Sequence, residues 1–230
     1  MIGRIAGSTN CGGMKLLQAI PKKVENPGIK DLRPLMLLEV TRKIWVGLIM
    51  MHIADFWRKW ELIDEAQHAY LRGKGTHTVL PQLLNCMEGA RDYKTSMFVS
   101  SFDMKGAFDS IDRNLLIACL VRLWVPEELA EQMINLDDNE RIFVKCPRNM
   151  EIAERGVEAL DAEGYKFKTM KGVGQGDKPS PLYWVAVMDT LLSALRKQPS
   201  SFRVQDLDGS SYPAEDMAYA DDLQSMGGIG

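Results

Sequence analysis

Two aspartates, Asp221 and Asp222, stand side by side between short apolar runs, Met217 to Tyr219 and Leu223 to Met226. The runs flank a two-carboxylate tip. Adjacent carboxylates repel, and neither turn chemistry nor core packing requires both. A nearby divalent cation offsets that repulsion. Mg²⁺ takes hard oxygen ligands and keeps several waters, so two or three carboxylates from separate strands suit it. Two such ions about 4 Å apart activate an attacking hydroxyl and stabilise the leaving oxygen in phosphoryl transfer. A solvated turn is the structural alternative for this pair alone.

A second acidic site lies upstream. Phe102-Asp103-Met104-Lys105-Gly106-Ala107-Phe108-Asp109 reads as a strand giving way to a helix. Strand ends let carboxylates project into a cleft while their backbone stays paired. Helix N-termini also favour Asp for structural reasons alone. A third segment, Gly172-Val173-Gly174-Gln175-Gly176-Asp177-Lys178-Pro179-Ser180-Pro181-Leu182, is rich in glycine and runs straight into a helix. Glycines permit close approach of backbone to a ligand. A helix N-terminus favours anions, and a glutamine side chain can hydrogen-bond a sugar or base. By itself such a loop is a weak signal.

The rest of the chain alternates strand and helix patterns, which indicates an α/β or α+β domain. Residues 14 to 38 read as a hairpin with a basic tip, and 1 to 13 as a loose Gly- and Ser-rich segment. Leu37 to Trp60 has helical apolar spacing through Leu38, Ile44, Trp45, Leu48, Ile49, Ile53, Phe56 and Trp57. Ala69 to Thr78 is a Gly-rich turn, and the next helix is expected to begin near Leu80, with Pro81 in its first turn. Thr95 to Asp103 reads as a strand. A helix over Asn114 to Trp124 is capped by Asp112, and Pro126 opens another. Arg141 to Cys146 and Tyr165 to Met170 are short strands, and Ser180-Pro181 starts a long apolar helix to about Arg196.

Charge adds one fact. The net charge is −3, yet the first 60 residues carry ten basic side chains against four acidic ones, so the remainder is net acidic. That asymmetry suits a protein that holds phosphates in one place and metal ions in another, and equally a solvated helix face. The four cysteines, Cys11, Cys86, Cys119 and Cys146, are scattered without metal-site spacing. They read as reduced buried thiols of an intracellular protein. No apolar stretch is long enough for a membrane span.

The three motifs occur together and in order, and here the chain resembles the reverse transcriptases. That family has an aspartate followed by a spacer and Ala-Phe-Asp, then Gly-x-x-Gln-Gly-x-x-x-Ser-Pro-x-Leu, then Tyr-x-Asp-Asp. These are Asp103 to Asp109, Gly172 to Leu182, and Tyr219 to Asp222. Ile20-Pro21-Lys22-Lys23 and Arg33 to Leu38 followed by Lys43-Ile44 look like its fingers motifs. Gln67 to Thr76 looks like the segment joining fingers to palm. The wording is most like the non-LTR (LINE-type) retrotransposon branch, with group II intron enzymes close behind.

The resemblance implies an α+β right-hand polymerase fold, with a ferredoxin-like palm over residues 95–230 and fingers over 14–94. It implies two Mg²⁺ ions, or Mn²⁺ in their place, held by Asp103 and Asp221 and assisted by Asp222 and the Met104 carbonyl. Phe108 would be the gate against ribonucleotides, since a clash with a 2′ hydroxyl discriminates sharply. Gln175, beside Gly176, would contact the nucleotide sugar, and Arg33 with Lys22 or Lys23 would clamp the triphosphate. Asp109 would cap the helix. The implied partners are an RNA template, a DNA primer and deoxynucleoside triphosphates, with no membrane. The compartment would be the nucleus or cytoplasm, or the mitochondrion for an intron-derived protein.

Gly174 stands where the non-LTR branch often has arginine, and Lys178-Pro179 replaces a commoner Pro-Leu pair. The sequence ends at Gly230, just past the hairpin. The resemblance therefore implies a palm without its later strands and without a thumb. Such a chain is expected to be poorly processive or inactive unless completed by those segments or by the full-length element protein. A domesticated module that binds nucleic acid or a partner without catalysis is the rival reading. An RNA-dependent RNA polymerase fits less well, because Phe108 would exclude ribonucleotides and Ala-Asp-Asp replaces Gly-Asp-Asp.

Overall fold

The computed structural model describes residues 14–21, 32–37, 40–135, 141–145, 171–174, 176–197, 202–205, 210–214 and 216–228. The expected strand at 165–170 and the basic tip at Lys22 and Lys23 lie outside these residues.

Strands β1 (Met14–Pro21) and β2 (Leu32–Leu37) form the expected hairpin. A parallel strand, β4 (Arg141–Lys145), adds to its other edge, giving the order β2-β1-β4. Nothing local in the sequence announces that pairing.

Helix α1 (Val40–Lys59) buries Val46, Met50, Ile53 and Trp57. This corrects the expected face: Ile44, Trp45, Leu48 and Phe56 are exposed. The helix is apolar on both sides, so periodicity alone could not choose. One bond helps to set its rotation, the Trp57 indole Nε1 donating to the Leu123 carbonyl at 2.9 Å. Helix α2 (Thr76–Asp92) begins about a turn earlier than expected. Thr78 Oγ1 accepts from the Gly75 N–H at 3.0 Å and donates to the Gly75 carbonyl at 2.6 Å, which closes the first turn ahead of Pro81. Pro81 therefore sits inside the helix, where it removes one backbone donor.

Strand β3 (Met97–Asp103) leads through the short helix α3 (Ala107–Ser110) into α4 (Arg113–Arg122) and α5 (Glu127–Asn135). Asp112 caps α4 as expected, accepting from the Asn114 and Leu115 N–H groups. Helix α6 (Ser180–Leu195) follows the glycine-rich segment. A small hairpin, β5 (Arg203–Gln205) and β6 (Ser211–Pro213), precedes the hairpin of β7 (Met217–Tyr219) and β8 (Asp222–Gly228).

The second sheet has the order β3-β8-β7. Ala218 and Leu223 join the main core, built mostly from α1, α4, α5 and α6 around Trp57, Leu116, Leu120, Tyr183, Val185 and Met188. Met217 and Met226 instead join a smaller cluster with Cys86 and Ala90 of α2, Phe202 and Ala214. The sheet is thus packed on both faces at β7 and β8. β3 is different. Phe98, Val99 and Phe102 are exposed, although the sequence reads as an ordinary strand.

α6 is pinned through one buried charge. The Asp189 carboxylate accepts from the Asp64 N–H at 2.6 Å and pairs with the Arg122 guanidinium of α4. Arg196, just past the helix end, pairs with the Asp64 carboxylate at 2.6 Å.

Candidate active site

Four segments converge at the ends of β3 and β7-β8. Across the antiparallel ladder Asp103 lies opposite Asp222, and Phe102 opposite Leu223. Opposed residues in such a ladder share a face with their Cβ atoms about 5 Å apart. The hairpin turns through Ala220 and Asp221, and the Asp221 carbonyl accepts from the Met104 N–H at 3.3 Å. The three predicted aspartates therefore meet on adjoining backbone. Asp103 and Asp222 are exposed and Asp221 is half-buried.

The hairpin tip is held in an unfavourable shape. Ala220 has φ +56°, a left-handed conformation that costs an alanine roughly 1 kcal/mol or more. Its carbonyl accepts from the Trp184 indole Nε1 at 2.6 Å. The far edge of the hairpin is also tied down. The Ala218 N–H donates to the Ala66 carbonyl and the His68 N–H to the Ala218 carbonyl, both at 2.9 Å.

The glycine-rich segment is stitched onto α3. The Gly172 N–H donates to the Ile111 carbonyl at 2.8 Å and the Val173 N–H to the Phe108 carbonyl at 2.9 Å. A Cβ on Gly172 would stand 2.9 Å from the Asp109 Cα and carbonyl oxygen, and its φ is +81°. Only glycine permits this approach. Further on, the Ser180 hydroxyl donates to the Gly174 carbonyl at 2.7 Å, and buried Asp177 pairs with Arg42 of α1 at 3.2 Å. Gly176 is exposed with φ +97°.

Phe108 is half-buried, and its ring stands 5.9 Å from that of Trp184, tilted by 46°. Asp109 lies inside α3, whose N-cap is Gly106, so it does not cap the helix as expected, and the Gly172 backbone stands against it. Arg33 pairs with Ile20 in the β1-β2 ladder, but its side chain lies outside what is described. Lys22, Lys23 and Gln175 lie outside the described residues altogether.

Two neighbours of the aspartates escaped sequence reasoning. Tyr70 has φ +60°, and burial first, then the charge of Asp221, holds its phenol above the ordinary value. Trp184 looked like one more apolar residue of α6. The signal that could have found it is the indole N–H, which seeks a partner when buried.

Oxygen donors of this kind fit a hard divalent cation. Among the described residues, no three His, Cys, Asp or Glu side chains are already gathered into a metal cage. The aspartates share backbone, and their carboxylates would have to turn inward to grip an ion.

Comparison with known proteins decides the family. The family model described as reverse transcriptase (RNA-dependent DNA polymerase) matches residues 20–226. The chain belongs to the reverse transcriptase family. This reverse transcriptase domain is 25% identical over 179 residues to the Retrovirus-related Pol polyprotein from type-1 retrotransposable element R2 of Nasonia vitripennis. That match covers 76% of the chain and 16% of the polyprotein, so the domain spans about a sixth of that relative's length. It agrees with the retrotransposon branch expected from the motifs.

Among solved structures, the domain is similar to telomerase from Candida tropicalis in complex with the TWJ fragment of telomeric RNA. The TM-score is 0.59 at 12% identity, over 94% of this chain and 36% of the telomerase. The apo form of that telomerase gives 0.57 at 12% identity, over 98% of this chain and 41% of that one. At such identity the likeness speaks for the fold alone, a mixed helix and sheet polymerase fold.

Proposed function

We propose that this domain adds deoxynucleotides to a primer 3′ end on an RNA template, with Asp103 and Asp221 holding two Mg²⁺ ions and Asp222 assisting beside the primer. The observation that carries the reading is the in-register opposition of Asp103 and Asp222, with Asp221 bonded through its carbonyl to Met104.

Bound there, the ions would neutralise phosphate charge and lower the pKa of the primer hydroxyl, as in other two-metal phosphoryl transfers. The residues around them do the positioning. β3 and β8 present carboxylates from a paired ladder, which limits how far each can drift. The Gly172–Val173 backbone fixes α3 and hence the direction of Phe108, the proposed wall at the sugar C2′. Gln175 with Gly176 would meet the sugar edge, and Lys22, Lys23 and Arg33 the triphosphate, where arginine's planar fork suits paired oxygens. The β3-β8-β7 sheet would serve as the palm and the β1-β2 hairpin as part of the fingers. The RNA–DNA hybrid would be held through backbone and shape, and binding would weaken as salt rises.

The test is calorimetric. The domain with an annealed RNA template and DNA primer is titrated with the complementary deoxynucleotide in Ca²⁺, which supports binding without turnover, and again in excess chelator. Binding that depends on the cation and is lost in Asp221→Asn supports the reading. Binding indifferent to both overturns it. The second reading, a module that binds nucleic acid without catalysis, draws on the lack of a preformed three-carboxylate cage among the described residues. It predicts template binding with no cation-dependent nucleotide uptake.

A further inference from the structure

A steric gate selects only if it cannot yield. Phe108 sits on a helix of four residues and is only half-buried, so its own element does little to hold the ring in place. Its carbonyl is fixed by the Val173 N–H. Its ring is backed by that of Trp184, with 5.9 Å between centroids. Trp184 is itself buried, and its indole N–H is spent on the Ala220 carbonyl at 2.6 Å. That bond resists rotation of the indole away from Phe108, because turning it would strand a buried donor. The helix carrying Trp184 is pinned in turn by Asp189, paired with Arg122 and bonded to the Asp64 N–H.

One indole therefore touches two of the three motifs and belongs to the helix of the third. We infer that Trp184 is a positioning residue for sugar selection. Its ring braces Phe108 while its N–H holds the turn that carries Asp221, so the wall at C2′ and the aspartates near the phosphates keep a fixed spacing. The inference rests on the reading of Phe108 as the gate. A deoxynucleotide fills the space between wall and aspartates. A ribonucleotide must push Phe108 back, and Trp184 removes the room for that retreat. Removing the brace should relax discrimination through Phe108, the ring that Trp184 backs.

The experiment compares Phe108→Ala, Trp184→Ala, Trp184→Leu and Trp184→Phe with the unchanged chain. On the annealed RNA–DNA substrate in Ca²⁺, the ratio of dATP to ATP affinity is measured by calorimetry, alongside single-nucleotide incorporation in Mg²⁺. Backbone exchange over residues 217–226 is followed by mass spectrometry. Phe108→Ala and Trp184→Ala are expected to shrink the deoxy-to-ribo ratio by roughly tenfold or more, the scale at which small pocket changes discriminate. Trp184→Phe keeps the ring and loses the donor. Its ratio should fall less than in Trp184→Ala, because the ring remains while its anchor is gone, and exchange across 217–226 should quicken. Loss of overall stability alone would lower both affinities together and leave their ratio unchanged.

Trp184→Leu serves if the alanine variant does not fold, and the same fall in ratio is expected of it. A relaxed ratio in Phe108→Ala with an unchanged one in Trp184→Ala or Trp184→Leu overturns the inference and leaves the gate standing. An unchanged ratio in Phe108→Ala removes the gate and the inference with it. Should the chain bind no nucleotide at all, the exchange arm still bears on the inference, because unaltered exchange in Trp184→Phe refutes the hold of the indole N–H on the turn that carries Asp221.

Discussion

Asp103 on β3 and Asp222 on β8 face each other across an antiparallel ladder, so two carboxylates far apart in the chain share one face of one sheet. Like charges directly opposed in a ladder destabilise it by a few tenths to about 1 kcal/mol. The fold accepts that repulsion at an exposed sheet end. In chelator, Asp103→Asn should therefore raise the melting temperature by about 1–3 °C. Adding Mg²⁺ with a deoxynucleotide should stabilise the unchanged chain and leave the variant unmoved, as read by thermal unfolding. A variant that melts lower in chelator contradicts the repulsion argument.

Gly172 and Gly73 make a matched pair. Both have positive φ, but only Gly172 has backbone atoms, those of Asp109, where a Cβ would stand. Gly73→Ala should cost roughly 1 kcal/mol from backbone strain alone. Gly172→Ala adds a clash with main chain and should cost about 2–4 kcal/mol. Urea denaturation of both variants measures the difference, and equal losses would contradict the close approach.

Ala220→Gly should relieve the left-handed strain at the hairpin tip. A gain of about 0.5–1 kcal/mol in urea unfolding is expected, with the Trp184 bond to its carbonyl preserved. A loss of stability would mean that the turn is not strained.

The pH response follows from His68. Its Nδ1 lies 2.8 Å from Thr78 Oγ1, and burial first, then Lys74, lowers its pKa below the ordinary value. The unfolded chain then binds the proton more readily than the folded one. Stability is complete above the ordinary histidine value, about 6.5, and falls as pH drops below it toward the folded pKa. His68→Gln should flatten that decline below about pH 6.5, measured by thermal unfolding across pH. A slope identical to the unchanged chain would assign the decline elsewhere.

The motifs made the family legible, but the sequence paired Asp103 with Asp221, and the ladder opposition of Asp103 to Asp222 was not readable from it. The α4 cap at Asp112 and the opening of α6 at Ser180-Pro181 were readable for local reasons, a side-chain acceptor and a proline in the first turn. What depended on distant partners was not readable. The burial of Met50 instead of Leu48 on α1 depends on Leu123, and the parallel pairing of β4 with β1 on a strand far upstream. Asp189 was overlooked, yet a lone carboxylate inside the apolar run of α6 was a signal that the helix must meet a cation. The early start of α2 turned on the Thr78 hydroxyl bonding back to the Gly75 backbone, which outweighed Pro81.

The most direct test is single-nucleotide extension of a DNA primer on an RNA template by the full 230-residue chain in Mg²⁺. Losing several kcal/mol of charge stabilisation corresponds to about 10³-fold in rate. Poor processivity does not prevent a single addition, so the unchanged chain should incorporate one complementary deoxynucleotide, with Asp103→Asn and Asp221→Asn slower by at least that factor. Extension that persists at the original rate in either variant contradicts the account.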